Sequence, residues 1–182
     1  HEPDHTNWQK LRDHMREHLV LGQCCRTGAG ACSAASTCAG AGRAPQSVTL
    51  LAVSKTRGAD EIAALADQGQ RHFGENYLQE ALDKMPALAD RGLEWHFIGP
   101  IQSNKTRQMA SAFAWVHSVD RLKIARRLSE QRDPALPPLN ICLQVNINEE
   151  ESKSGCTLDE LPDLVAEIGD LKYEIESLMN IS

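Results

Sequence analysis

Lys55 ends an apolar run, LLAVSKT, at residues 50–56. A lysine placed there sets its ammonium at the mouth of a sheet with its stem partly desolvated. Desolvation disfavours the charged form and lowers the pKa. A neutral amine can attack an aldehyde and give a Schiff base. The competing reading is a lysine that leaves a strand end and reaches for water, and Lys55 alone favours that one. Asn76 and Asn146 offer amide donors and acceptors near strand ends, where they can meet a ligand or close a βα turn. His96 stands between Trp95 and Phe97. If Phe97 faces the helices, Trp95 does too, and His96 faces the other way, toward the centre of a barrel. The alternative is a hydrogen-bonded core histidine. Gly99-Pro100 permits close backbone approach to a ligand, or is only a turn. Lys105 and Lys153 read as solvated lysines, the latter beside the acidic run Glu149–Glu151.

Cysteine chemistry is a second possibility. Cys24, Cys25, Cys32 and Cys38 lie close together, with Cys142 and Cys156 far downstream. Disulfides lack support from any other secretory feature. A zinc site lacks the short C-x2-C knuckles and an intervening histidine, so no metal is expected there. Incidental thiols in a small-residue segment remain the simplest reading.

These residues need a scaffold, and the chain supplies a rhythm. From Ser47 onward short β-prone runs alternate with helical patterns: Ser47–Lys55, Arg71–Asn76, Glu94–Pro100, Trp115–Asp120, Asn140–Ile147 and the final YEIESLMNIS. Between them fall stripes such as Ile62/Leu65/Ala66 and Leu122/Ala125/Leu128. Asp60 is the expected cap of the first of these helices, Gly69 its stop, and Pro86 the limit of the second. Thr157 and Glu160 form a possible capping box. Strand–helix repetition demands a parallel sheet. Six strands are expected, in an α/β fold of either open doubly wound or (β/α)8 TIM-barrel type. The dinucleotide form loses support because no G-x-G-x-x-G follows the first strand. Residues 1–46 read as a separate portion, with a helix-like stripe from Asn7 to about Leu21 (Trp8, Leu11, Met15, Leu19) and a loose Gly/Ala/Cys segment over Gly22–Gly42. Residues 47–182 read as the partial barrel.

The segments LLAVSKT, HFGENYLQE, WHFIGPIQSNK, HSVDR and VNINEEESKSG together resemble the pyridoxal phosphate homeostasis protein family. That family is related to the alanine racemase N-terminal barrel. The resemblance runs from about Ser47 to the C-terminus. It implies an alanine-racemase-like (β/α)8 barrel, incomplete here, and pyridoxal 5′-phosphate as cofactor. It implies that Lys55 forms the Schiff base and that Asn76, His96, Gly99, Asn146 and Met179 line the pocket. Asn180 and Ser182 depart from the LMAIP that the family usually carries beside that methionine. It also implies that the serine loop and the arginine-bearing segment that grip the phosphate and ring nitrogen lie beyond Ser182. Charge-assisted hydrogen bonds of that kind are worth roughly 1.5–3 kcal/mol each. The function it implies is vitamin B6 homeostasis, with apo enzymes that use the cofactor as partners. A racemase-like enzyme or a non-functional fragment are the alternatives. Racemisation would need a second acid/base, and only Tyr77 and Tyr173 are available; Tyr77 reads as a packing residue.

Composition limits the other classes. The chain has 182 residues with 19 basic against 25 acidic side chains, net −6, which disfavours phosphate-neutralising nucleic-acid binding. No apolar run approaches the roughly 20 residues of a membrane span. No basic-then-apolar leader opens the chain, so secretion has no support; the composition favours the cytoplasm, with an organelle as the alternative.

Overall fold

The computed structural model describes residues 19–22, 40, 42, 44, 48–147, 152–169, 171 and 177–180. The expectations for Asn7 to His18, for Cys24, Cys25, Cys32 and Cys38, and for Glu149–Glu151 lie outside them. Seven strands appear among the described residues: β1 (Leu19–Gly22), β2 (Val48–Val53), β3 (His72–Glu75), β4 (Glu94–Phe97), β5 (Trp115–Val119), β6 (Asn140–Val145) and β7 (Ser177–Asn180). Five α-helices alternate with them: α1 (Ala59–Asp67), α2 (Leu78–Lys84), α3 (Thr106–Ala112), α4 (Leu122–Gln131) and α5 (Leu161–Gly169). Every strand pairs in parallel with the next one in the chain. That order decides between the two architectures. A doubly wound sheet reverses its strand order at a switch point, whereas a barrel adds each strand beside the last. The fold is an incomplete (β/α)8 barrel.

The strand count is one more than the sequence suggested. Leu19–Gly22, read as the end of a helical stripe, pairs with β2 instead. Four residues, LVLG, are too few for period to separate helix from strand, and pairing decides.

Burial follows the pleat. Phe73, Trp95, Phe97, Val116, Ile141 and Leu143 turn one face of the sheet onto the helices. There they meet Ile62, Ala81, Met109, Phe113, Ile124, Leu128 and Ile168. Phe97 packs edge-on against Phe113, with ring centroids 5.3 Å apart. α4 shows why its sequence is helical: Ile124, Ala125 and Leu128 are buried and its basic residues lie opposite. α2 ends at Lys84, and Pro86 opens a 3-10 turn over Met85–Arg91. α1 departs from expectation. Its cap is Gly58, whose N–H donates to Glu61, while Asp60 lies inside the first turn.

The capping box ahead of α5 is present. Thr157 N–H donates to the Glu160 carboxylate at 2.9 Å, and Glu160 N–H donates to Thr157 Oγ1 at 3.2 Å. Thr157→Ala is expected to cost about 1 kcal/mol in urea unfolding. An unchanged midpoint would show that the box contributes nothing.

Candidate functional site at the strand ends

The turn after β2 carries Lys55 and is tightly held. Ser54 is buried, and its Oγ donates to Glu75 Oε1 at 2.5 Å. Thr56 adopts a left-handed φ of 62°, costly for a β-branched residue. Glu80 receives the Thr56 N–H at 2.6 Å. Lys84 reaches under the turn from the end of α2. Its ammonium donates to the carbonyls of Ser54 (3.1 Å) and Arg57 (3.0 Å), and to the carboxylates of Glu75 (2.9 Å) and Glu80 (2.8 Å). Lys84 is 8 % exposed and Glu75 0 %. The hydrogen bond from the Lys84 ammonium holds the Glu80 carboxyl below the usual carboxylate range. Two buried opposite charges thus clamp the backbone on both sides of Lys55. Lys55 itself is exposed, the water-seeking placement that its own sequence context favours over partial desolvation. The turn lifts it clear of the strand end.

Asn76 follows β3 at the same end. Val53 and Gly74 are register partners, so Lys55 and Asn76 each stand two residues beyond a matched pair. Asn76 Oδ1 is buried and has no hydrogen-bond partner. A buried acceptor left unpaired costs free energy, and a ligand donor is one partner that would satisfy it. Gly99 lies against Asn76. A Cβ on Gly99 would sit 2.1 Å from the Asn76 carbonyl oxygen, so only glycine fits.

Asn146 follows β6. Its side-chain amide donates to the Lys153 carbonyl at 3.4 Å, and its N–H donates to the Cys156 carbonyl at 2.9 Å. Asn146 therefore ties the loop ahead of α5 to the sheet, the turn-closing role open to it from sequence. Gly155, with φ 134°, lets that loop pass over Asn146. Met179 pairs in register with Gln144, and its side chain is not among those described. Tyr77 is 59 % exposed, so it is not the packing residue expected. Lys153 is exposed and Lys105 half-buried.

A cavity of about 280 Å³ opens at the ends of β4, β5 and β6, lined by Gly99, Ser118, Asp120, Arg121, Gln144 and Ser154 among others. Catalytic and ligand-binding barrels place their chemistry at this end. Of the residues singled out from sequence, Gly99 and Pro100 border it. Ser118 and Gln144, each 8 % exposed, were missed. Gln144 was accessible in principle, since it shares an alternation with Asn146.

His96 combines the two readings open to it from sequence. It does face away from the helices, opposite Trp95 and Phe97. Yet it lies in a ladder of histidines: His72 Nδ1 is 3.1 Å from His96 Nε2, and His96 Nδ1 is 2.9 Å from His117 Nε2. It stands level with Gly74, two residues below Asn76. Burial, then the neighbouring His117 and His72, push His96 down to about 2. Burial pushes His117 down to about 4. Both are neutral when folded and bind protons more readily when unfolded. Their stabilisation is complete above about pH 6.5 and is lost as pH falls toward those values, at about 1.4 kcal/mol per pH unit per histidine. Urea unfolding at about pH 7 and about pH 5 should differ by a few kcal/mol, less in His117→Phe. Equal stabilities would contradict the ladder's neutrality.

The alanine racemase N-terminal domain family matches residues 35–181. A pyridoxal phosphate homeostasis protein of Pseudomonas aeruginosa PAO1 is 63% identical over 142 residues, covering 78% of this chain and 62% of the relative. One from Escherichia coli K12 is 52% identical over 153 residues, 82% of this chain and 64% of the relative. The chain thus spans somewhat under two thirds of these curated relatives. PipY of Synechococcus elongatus PCC7942, solved with PLP bound, superposes with a TM-score of 0.70 at 34% identity, covering 86% of this chain and 71% of that one.

The chain belongs to the alanine racemase N-terminal domain family.

Family membership agrees with the sequential strand order and with the strand-end position of the clamped turn. No helix among the described residues is long and apolar enough to cross a membrane. Cys142 and Cys156 are both buried.

Proposed function

We propose that this chain binds pyridoxal 5′-phosphate at the C-terminal ends of its strands, with Lys55 as the covalent anchor, and serves vitamin B6 homeostasis in the cytoplasm by holding the cofactor for apo enzymes. The observation that carries the reading is the pairing of an exposed amine with an orphaned amide at one strand end. Lys55 is presented on a rigid turn, and Asn76 Oδ1 beside it is buried without a partner. The named relatives and the PLP-bound PipY support the same cofactor. The bound group supplies an aldehyde, which condenses with a lysine amine to a Schiff base and releases water.

The chain's own residues divide the remaining work. Glu75, Glu80 and Lys84 fix the backbone that aims Lys55. Asn76 offers an acceptor toward a hydroxyl or protonated nitrogen of the ligand. Gly99 keeps β4 close enough to Asn76 for that amide to hold its place. Asn146 contributes indirectly, through the loop it secures. His96 lies below this layer and supports the interior.

The test is a spectroscopic titration of the full chain with pyridoxal phosphate, alongside Lys55→Ala. A visible absorption band that saturates near one equivalent in the parent and is absent in the variant is the expected result. Equal bands in both proteins would overturn the assignment to Lys55.

A further inference from the structure

The opposite end of the sheet holds a cluster that the cofactor reading does not use. His72 and Glu94 are the first residues of β3 and β4, register partners at the N-terminal end of the strands. His96 lies on the same face two residues further on. One ligand atom from each of the three lies within 4.8 Å of the others. His72 Nδ1 is 3.1 Å from His96 Nε2 and 3.8 Å from Glu94 Oε1. Two nitrogens bound at 2.0–2.1 Å to one tetrahedral zinc stand about 3.3 Å apart, so small shifts would admit an ion.

The surroundings also suit a metal. Ligating histidines donate their other ring N–H to a fixed partner, and ligating carboxylates are themselves hydrogen-bonded. Both supports exist here. His96 Nδ1 faces His117 Nε2 at 2.9 Å, and Trp115 Nε1 donates to Glu94 Oε1 at 2.6 Å. Trp115 also stacks on the His96 ring, with centroids 5.4 Å apart and planes 9° apart. His96 is thereby held in orientation by two neighbours before any ion arrives. It is 3 % exposed, while the side chains of His72 and Glu94 are 30% and 41% exposed, so the cluster has one buried wall and one open to solvent.

We propose that His72, Glu94 and His96 form a binding site for a divalent transition-metal ion of the zinc type at the N-terminal end of the barrel strands. Two imidazole nitrogens and one carboxylate oxygen make a three-ligand set, with water as the fourth ligand. Binding replaces the hydrogen bond between the two histidines. His72 carries its proton on Nε2 and His96 carries its proton on Nδ1, toward His117. Neither ring needs to lose a net proton. The site lies at the end of the strands remote from Lys55 and does not depend on the cofactor reading.

Co2+ is the probe, because its visible spectrum reports coordination and its near-ultraviolet thiolate charge transfer would expose binding to cysteines instead. The full chain, His72→Gln and Trp115→Phe are titrated, and Zn2+ is then used to displace the cobalt. One equivalent bound with nitrogen and oxygen ligation is expected, with affinity lowered more than ~100-fold in His72→Gln and about tenfold in Trp115→Phe. His72 is at the surface side of the cluster, so its variant is expected to fold, and circular dichroism checks this. Equal affinity in the parent and His72→Gln, dominant thiolate bands, or no binding at all would each overturn the proposal.

Discussion

Lys84→Met should lower stability by about 3–5 kcal/mol, the cost of leaving a buried charge without its partner. Glu75 is the group left stranded. It is 0 % exposed, its Oε2 already has no partner, and its Oε1 takes both the Lys84 ammonium and the Ser54 hydroxyl. Four acceptor oxygens share the three N–H donors of Lys84 Nζ, and methionine serves none of them. Denaturant unfolding measures the loss. The second measurement separates a clamp from a simple ion pair. Adding Glu75→Gln removes the stranded charge, so the double variant should recover part of the stability. It should not recover the rate at which Lys55 takes up pyridoxal phosphate, because the Ser54 and Arg57 carbonyls remain unheld and the left-handed Thr56 loses its support. Simple additivity of the two substitutions would contradict the buried pairing.

Gly99→Ala has the closest backbone clash among the described glycines and should be strongly damaging. The added Cβ falls 2.1 Å from the Asn76 carbonyl oxygen and 2.8 Å from its carbon, and both are backbone atoms that no rotamer change can move. The hydrogen bond from Ile98 N–H to the Glu75 carbonyl, 2.9 Å, must stretch as the ends of β3 and β4 part. Overpacking typically costs 1–3 kcal/mol, and a clash with backbone lies at the upper end, about 3 kcal/mol. Asn76 moves with the strand, so cofactor affinity should fall as well. Gly58→Ala, where a Cβ meets nothing within 4 Å, is the matched control and should cost less than about 1 kcal/mol. Equal effects at both glycines would refute the close approach.

The sequence carried much of this, for reasons that are local. Parallel strands covered on both faces are apolar runs, which is why VTLLAV and NICLQV stood out. The Thr157–Glu160 box was legible because both partners lie within one helical turn. The clamp was not. Lys84 sits in an ordinary helical pattern, and its partners at Ser54, Arg57 and Glu75 are brought near by the crossover. The histidine ladder was hidden similarly: His72, His96 and His117 belong to three strands, and register alone aligns them. Ser118 lies where the β5–β6 register shifts between Val116 and Val119, an irregularity no periodicity reveals. The exposure of Lys55 was legible as a lysine leaving a strand end, but the rigidity of its turn was not, because that turn is set by contacts made from α2.

In the proposed function, Lys55 alone among the amines of this chain anchors pyridoxal phosphate. The most direct measurement is borohydride reduction of the full chain with equimolar pyridoxal phosphate, followed by proteolysis and mass mapping of every lysine. The expected result is a single stable adduct on Lys55, with Lys84, Lys105 and Lys153 unlabelled. Label spread over exposed lysines such as Lys153, or concentrated on any lysine other than Lys55, would contradict the account.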